Sequence, residues 1–418
     1  MGQILAVYNG SNMARRLISN KFAKWAAMAA FTLAILFIID WLTNAVTGLP
    51  WAAWDFNHYI QMAERGLAGN RVLTAPYAYR PLTTLLAGWL MRALGFSVWR
   101  AFKLLAWAGA ALNLLTLCWL LDRQGNRFST ILWVLGIISL AQYQVKFLFF
   151  DPFRPDHLAF PLINLAYLAL WADLAWLAAG VVALGLLARE FLLVPLGAQL
   201  VVALREKEKW LQAALVSAAG LAVFTLARWL IPVSGHEDYV AYSSLGGLAC
   251  DLFAVPLDRR RTLNFLFCLL AYLLPLWMLF TPRRWKAAWA GLGKRKLWLA
   301  AHSALTLLLA MYGGTDLARF MVYLYLPLAF VLTGMLEAGQ VSLAEKLFML
   351  TAVVIFNRIP WPFPAASLEA YLDFYGGYHD RLNLASALRF AELAGWVAAA
   401  AALRVGLVKQ CGEKPPSK

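Results

Sequence analysis

The stretch Tyr79-Arg80-Pro81-Leu82-Thr83-Thr84-Leu85-Leu86-Ala87-Gly88-Trp89-Leu90-Met91-Arg92-Ala93-Leu94-Gly95-Phe96 decides how the chain is threaded. It is apolar at its centre, opened by a proline and bracketed by two arginines, so its pattern alone leaves it between a membrane crossing and a surface helix. The surrounding chain is 62% hydrophobic and 14% charged over 418 residues, against about a quarter charged in a soluble domain. Long apolar runs separated by short charged islands mark a polytopic membrane protein. They exclude disordered, collagen-like, coiled-coil and disulfide-scaffold classes and argue against a soluble enzyme. The net charge of +15 does not point to nucleic acid, because the basic residues sit in brief connectors and not on one face of a soluble domain.

A hydrocarbon core takes about 20 apolar residues per helix. On that measure the spans fall at 25–46, 100–121, 128–149, 157–172, 174–188, 190–204, 210–231, 262–280, 297–312, 320–336, 343–357 and 386–407. If Tyr79–Phe96 crossed as well, every later connector would change sides. Lys and Arg in short loops stay in the cytoplasm, which places Arg15, Arg16, Lys21 and Lys24 there. Arg205, Lys207 and Lys209, the acid-free run of Arg283, Arg284, Lys286, Lys294, Arg295 and Lys296, and the tail with Lys409, Lys414 and Lys418 join them only if Tyr79–Phe96 does not cross. Its proline start and basic flanks suit a helix lying in, or dipping into, the outer leaflet.

The expected fold class is all-α: a polytopic membrane protein of about twelve transmembrane helices with interfacial helices in the first outer loop. It forms a single transmembrane domain over 1–418, with a cytoplasmic N-terminus (1–24), a first periplasmic loop (47–99), the remaining spans (100–408) and a cytoplasmic tail (409–418). The basic start leads into a long apolar run without a small-residue cleavage site, which reads as a retained first helix. Cys118 and Cys268 fall in apolar runs, Cys250 in a polar loop and Cys411 in the tail, so no disulfide or thiolate metal site is expected.

This threading puts most acids outside. Asp55, Asp151, Asp156, Glu190, Glu237, Asp238, Asp251, Asp316, Glu369, Asp373 and Asp380 lie in outer loops, with His58, His157, His236 and His379. The first outer loop runs Trp54 to Leu67, where Asp55 either caps an amphipathic helix or does chemistry, with Tyr59, Met62 and Ala63 as the apolar face behind it. The second holds Asp151-Pro152-Phe153-Arg154-Pro155-Asp156-His157, stiffened by its prolines; Arg154 and Asp156 either pair with each other or serve a site. Arg189-Glu190 interrupts the apolar hairpin Val181 to Val202, where a mutual ion pair competes with a substrate-facing role. Gly313-Gly314-Thr315-Asp316-Leu317-Ala318-Arg319 repeats the theme as a turn followed by Asp and Arg, either cap and anchor or site. The aromatic run Pro360 to Pro364, with Tyr371, Phe374, Tyr375, Tyr378 and His379, fits an interfacial belt better than a sugar-stacking surface. No two histidines have ligand spacing on one helix, and the sequence holds no phosphate-binding Gly loop, Gly-x-Ser-x-Gly or His-Glu-x-x-His.

The order of these features resembles the GT-C superfamily of polytopic glycosyltransferases, nearest its aminoarabinose-transferase and protein-mannosyltransferase branch. A basic start and first span lead to a long outer loop with Asp55 near its beginning, and Tyr77-Ala78-Tyr79-Arg80-Pro81-Leu82 opens a second interfacial helix. Two spans then flank the inner turn Asp122 to Arg127, followed by the outer Arg154-Pro155-Asp156 and the hairpin Leu187-Ala188-Arg189-Glu190. The likeness covers about residues 20–205. It implies a sugar donor on polyprenyl phosphate, presented from the outer leaflet of the bacterial inner membrane, and a lipid, glycan or protein acceptor. Both termini would be cytoplasmic and the active site periplasmic, among membrane lipids and with no nucleic acid.

By resemblance, Asp55 is the general base that deprotonates the acceptor hydroxyl. Asp156 orients the acceptor or assists Asp55, with Arg154 beside it. Arg189, with Arg319 or Arg80 as second candidate, neutralises the departing phosphate. His58, Tyr79, Glu190 and Asp316 complete the expected substrate-binding set. No cofactor is required, although some members hold a divalent metal (Mg or Mn), which Asp55 and Asp156 could share. Two departures stand out. The branch often adds a soluble outer domain where this chain has a basic tail, so loops must recognise the acceptor. Glu190 beside Arg189 replaces a lone cation.

A rival reading is a transporter or flippase of an amphipathic anion, with Arg189 and Arg319 as anion sites. It needs polar groups near the midplane and broken helices, whereas the charges here gather at one face. A non-catalytic assembly subunit, the third reading, would leave the outer carboxylates replaceable.

Overall fold

The protein, seen in a computed structural model, is described over residues 2–43, 55–67, 73–141, 144–236, 254–312, 317–338, 341–361 and 384–412. Those residues form an all-α fold. The helices are α1 (Gly2–Trp41), α2 (Asp55–Arg65), α3 (Pro81–Leu94), α4 (Val98–Asp122), α5 (Phe128–Ser139), α6 (Lys146–Phe150), α7 (Asp156–Trp171), α8 (Ala175–Leu186) and α9 (Leu193–Arg205). They continue as α10 (Trp210–Leu230), α11 (Arg259–Tyr272), α12 (Leu274–Leu279), α13 (Pro282–Gly291), α14 (Lys296–Tyr312), α15 (Leu317–Met321), α16 (Tyr325–Ala338), α17 (Leu343–Phe356) and α18 (Leu384–Gly412). A two-residue parallel ladder, β1 (Thr74–Ala75) with β2 (Gly235–His236), is the extended pairing among the described residues.

Four helical stretches are long and apolar enough to cross a membrane: Lys21–Trp41, Val98–Asp122, Lys207–Leu230 and Leu317–Ala338. The last is walled in by protein on nearly every side and forms the centre, whereas the first is largely uncovered. The run 128–149, expected as one span, is two helices, with the polar Gln142, Tyr143 and Gln144 interrupting the apolar pattern between α5 and α6. The run 262–280 is likewise split between α11 and α12, just ahead of Pro275.

Local chemistry sets the helix ends. Pro81 starts α3 and Gly95, at φ 66°, stops it in the left-handed region open to glycine. Ser342 and Glu345 close a reciprocal capping box on α17, with Glu345 N–H donating to Ser342 Oγ at 3.1 Å and Ser342 N–H to Glu345 Oε2 at 3.0 Å. Inside α7, Pro161 cannot donate to the His157 carbonyl. That carbonyl faces Gly109 of α4 so closely that a Cβ there would come within 2.3 Å of it.

The polar contacts sort into two poles. At one, Lys24 pairs with Asp122, Lys209 with Asp173, and Glu345 with both Arg284 and Arg404, while Arg127 N–H donates to Glu337. At the other, Lys103 pairs with Asp40, Arg80 with Glu190, Arg319 with Asp156, and Arg358 with Glu392. Ser234 N–H also donates to the Leu73 carbonyl at 2.8 Å, and Leu82 N–H to that of Leu187 at 3.0 Å. These are the connectors that the positive-inside pattern assigns to the two sides, and among the described residues no ion pair joins one set to the other. Leu73 and Arg80 precede α3, while Ser234 and Glu190 follow it at the same pole.

Candidate functional site

At the pole that gathers the acidic loops, two segments converge on one buried carboxylate that opens a third. Asp156 is 2% exposed and opens α7, where the unpaired amides of the first turn favour a negative charge. Arg319 of α15 donates from Nη2 to Asp156 Oδ2 at 2.8 Å. The Tyr323 hydroxyl donates to Oδ1 at 2.7 Å. Arg189 Nε lies 3.5 Å from the same Oδ1. Burial alone would raise the Asp156 carboxyl, but Arg189 and Arg319, with the Tyr323 hydroxyl, hold it well below the ordinary carboxylate range.

Each partner is fixed from behind. The Tyr323 ring stacks on Phe191 at 3.8 Å and 10°, and its carbonyl is bonded by His302 Nε2 at 2.8 Å. Arg319 lies over the Phe147 ring and Arg189 over that of Phe320, each at 5.9 Å. The turn before α7 is pinned by Phe153, which packs on Phe56 of α2 at 5.6 Å and Phe102 of α4 at 5.1 Å.

A second pair sits alongside. Glu190 accepts from Arg80 Nε at 3.0 Å with each oxygen, and Arg80 Nη1 donates to the Tyr59 hydroxyl at 3.1 Å. His58 stacks on Tyr77 at 4.7 Å, and Arg228, at the end of α10, lies 4.7 Å over Tyr79. Arg154 turns back to Asp151, donating from Nε to Oδ2 at 2.7 Å.

Both local pairings drawn from sequence are therefore replaced. Arg154 pairs with Asp151 and not Asp156. Arg189 and Glu190 part company, one going to Asp156 and the other to Arg80. Arg189 is in extended backbone (φ −159°, ψ 142°), where successive side chains leave in opposite directions. Glu190 thus accepts its hydrogen bonds from Arg80 while remaining within Coulombic reach of Arg189. Arg80, Arg154, Arg189 and Arg319 are paired with Asp151, Asp156 and Glu190. Arg189, at 3% exposure, has buried Nε and Nη1 atoms with no hydrogen-bond partner.

Asp55 is the first residue of α2, next to the Phe56 ring that touches Phe153; its side chain lies outside the described residues. So do Asp316 and the aromatic run from Pro362 to His379. Sequence reasoning missed Asp151 as the partner of Arg154, and missed Tyr323 and Arg228. The spacing of Arg319 and Tyr323, i and i+4 on helical backbone, was the available signal for the second of these. Among the described residues no three His, Cys, Asp or Glu could hold a metal ion. Asp156 is poorly suited to share one, since both oxygens are engaged and two guanidinium groups flank it. The chain matches no protein-family model, no curated protein and no solved structure.

Proposed function

We propose that the chain is a polytopic glycosyltransferase of the bacterial inner membrane, of about twelve crossings, that moves a sugar from a polyprenyl-phosphate donor to an acceptor at the periplasmic face. The observation that carries this reading is the Arg189 guanidinium, buried and with its Nε and Nη1 donors left without hydrogen-bond partners. Buried donors left unpaired are costly, and a phosphate oxygen would satisfy them in the planar geometry that guanidinium groups favour. No nucleotide site is needed for such a donor.

In this reading the acceptor oxygen attacks the anomeric carbon, the bond from that carbon to the phosphate oxygen breaks, and polyprenyl phosphate leaves with the bonding pair. Asp55 takes the acceptor's proton. Arg189 receives the charge that builds on the phosphate, with Arg80 as the neighbouring cation. Asp156 acts as a positioning residue that sets Arg189 and Arg319. Removing one such preorganised donor lowers turnover about 10²–10³-fold.

A specific feature bears on the transporter alternative. Mid-helix polar groups do occur: the Asn164 amide donates to Asn113 Oδ1 at 2.9 Å and Thr116 Oγ1 at 3.0 Å, and the Tyr325 hydroxyl to Asn164 Oδ1 at 2.6 Å. They are uncharged and satisfy one another, which favours a structural tie over an anion path. The deciding experiment is mass spectrometry of co-purified lipid, followed by transfer assays with synthetic polyprenyl-phosphate sugars. Bound prenyl phosphate, transfer by the wild type and its loss in Asp55→Asn are expected. Transport of the lipid without transfer, or full transfer by Asp55→Asn, would overturn the assignment.

A further inference from the structure

Helix α13 has three distinct sides. Arg284 and Ala288, four residues apart, face the bundle: Arg284 pairs with Glu345 at 2.9 Å, and Ala288 packs so tightly that a Cβ on Gly334 would come within 2.8 Å of its Cα. Trp285 and Trp289, also four apart, form a second side; each is 39% exposed, and their rings are near parallel at 6.2 Å. Phe280, 41% exposed, extends this aromatic strip, 6.1 Å from Trp285. Arg283 and Lys286 occupy the remaining side, with Lys294 just beyond the helix, all exposed.

Among the described residues nothing neutralises that third side. The segment from Pro282 to Lys296 contains no acid. The nearby carboxylates are spent, Glu345 on Arg284 and Arg404, and Glu337 on the Arg127 amide. Among the described residues Arg283, Lys286 and Lys294 make no ion pair. A helix with one flank docked, one aromatic and one basic is built to lie in a bilayer interface, rings among acyl chains and cations among headgroups.

We propose that α13 with the following turn is a binding surface for anionic phospholipid of the inner leaflet. Trp285, Trp289 and Phe280 seat it in the interface, and Arg283, Lys286 and Lys294 take the phosphate headgroups. A soluble acidic partner fits less well, because it would leave the aromatic strip in water. The inference rests on the chain being membrane-embedded and is independent of glycosyl transfer, so loss of either reading leaves the other standing.

The test is native mass spectrometry of the full chain titrated with phosphatidylglycerol or phosphatidylcholine. Wild-type protein should retain phosphatidylglycerol preferentially. Each basic residue near an anionic surface contributes about 1 kcal/mol, or about five-fold, so Lys286→Gln should weaken that retention about five-fold, and the triple variant Arg283→Gln, Lys286→Gln, Lys294→Gln well over ten-fold. Phosphatidylcholine retention should not change. Trp285→Ala with Trp289→Ala should weaken both lipids alike. Arg284 is kept in every variant, so its pair with Glu345 holds the fold, and an unchanged melting curve checks this. Equal retention of the two lipids by the wild type, or undiminished phosphatidylglycerol on the triple variant, would overturn the proposal.

Discussion

Replacing Asp156 with Asn removes the charge at the centre of the outer-pole cluster while keeping the side chain's shape. The carboxylate accepts bonds at 2.8 Å from Arg319 and 2.7 Å from Tyr323, each worth about 1.5–3 kcal/mol when one partner is charged. Asparagine retains one acceptor oxygen, so roughly one of these bonds survives. Its new amide N–H₂ then meets a donor, and two buried guanidinium groups lose their counter-charge. Breaking a buried pair in this way costs about 3–5 kcal/mol. At a few degrees per kcal/mol, less for a long chain, the apparent Tm should fall by about 5 °C or more. Thermal unfolding of the purified chain in detergent, followed by tryptophan fluorescence, measures it.

Two controls sharpen the test. Asp156→Asn combined with Arg189→Gln should recover part of the loss, because one orphaned cation is gone and neighbouring sites couple. The pH dependence has a fixed sign. The folded-state value of the Asp156 carboxyl is depressed, so its stabilisation is present above the unfolded value of about 3.9 and is lost as pH falls below it toward the folded value. The gap between wild type and variant should therefore be constant from pH 8 to about 5 and begin to close only below about 4. A Tm change under about 1 °C, or a gap that vanishes near neutral pH, would refute the buried-triad reasoning.

Tyr323→Phe removes the donor that competes with Arg189 for Asp156 Oδ1. Arg189 should close onto the freed oxygen, and binding of a prenyl-phosphate probe, measured by its Kd, should weaken about ten-fold, one hydrogen bond's worth; an unchanged Kd would remove Tyr323 from that role. Glu190→Gln unpairs Arg80 and should cost about 3 kcal/mol, read as a lower midpoint in thermal unfolding, while Arg65→Gln on the same face serves as the near-neutral control. Gly109→Val forces a side chain into the His157 carbonyl and should separate α4 from α7 at a cost above about 3 kcal/mol, seen as loss of a monodisperse peak in size-exclusion chromatography. Single cysteines at 125 and 290 should label from one side of the membrane and one at 234 from the other; labelling of all three from one side would defeat the two-pole threading.

The all-α class and its apolar helices were legible because hydrophobic runs are written locally. The amphipathic face of α2, with Tyr59, Met62 and Ala63 buried, followed from helical spacing alone. Continuity of the helices was less legible, since an apolar run such as 128–149 shows how much surface avoids water and not where the backbone turns. The elements of the candidate site were all visible as charged islands: Arg80, Arg154-Pro155-Asp156, Arg189-Glu190 and Arg319.

Partner choice was not. Neighbours in sequence suggested Arg154 with Asp156 and Arg189 with Glu190, the pairings that short-range Coulomb attraction favours in an isolated peptide. In the folded chain Arg154, Asp156 and Arg189 are buried and Glu190 half-buried, and a charge held out of water takes whichever partner the packing of α3, α7 and α15 delivers at hydrogen-bonding distance. Composition and connector charge thus determined by themselves the class of protein and which loops share a face. Which guanidinium meets which carboxylate, and that Arg189 is left with unused donors, was decided only when the helices packed, because burial makes long-range geometry outweigh proximity along the chain.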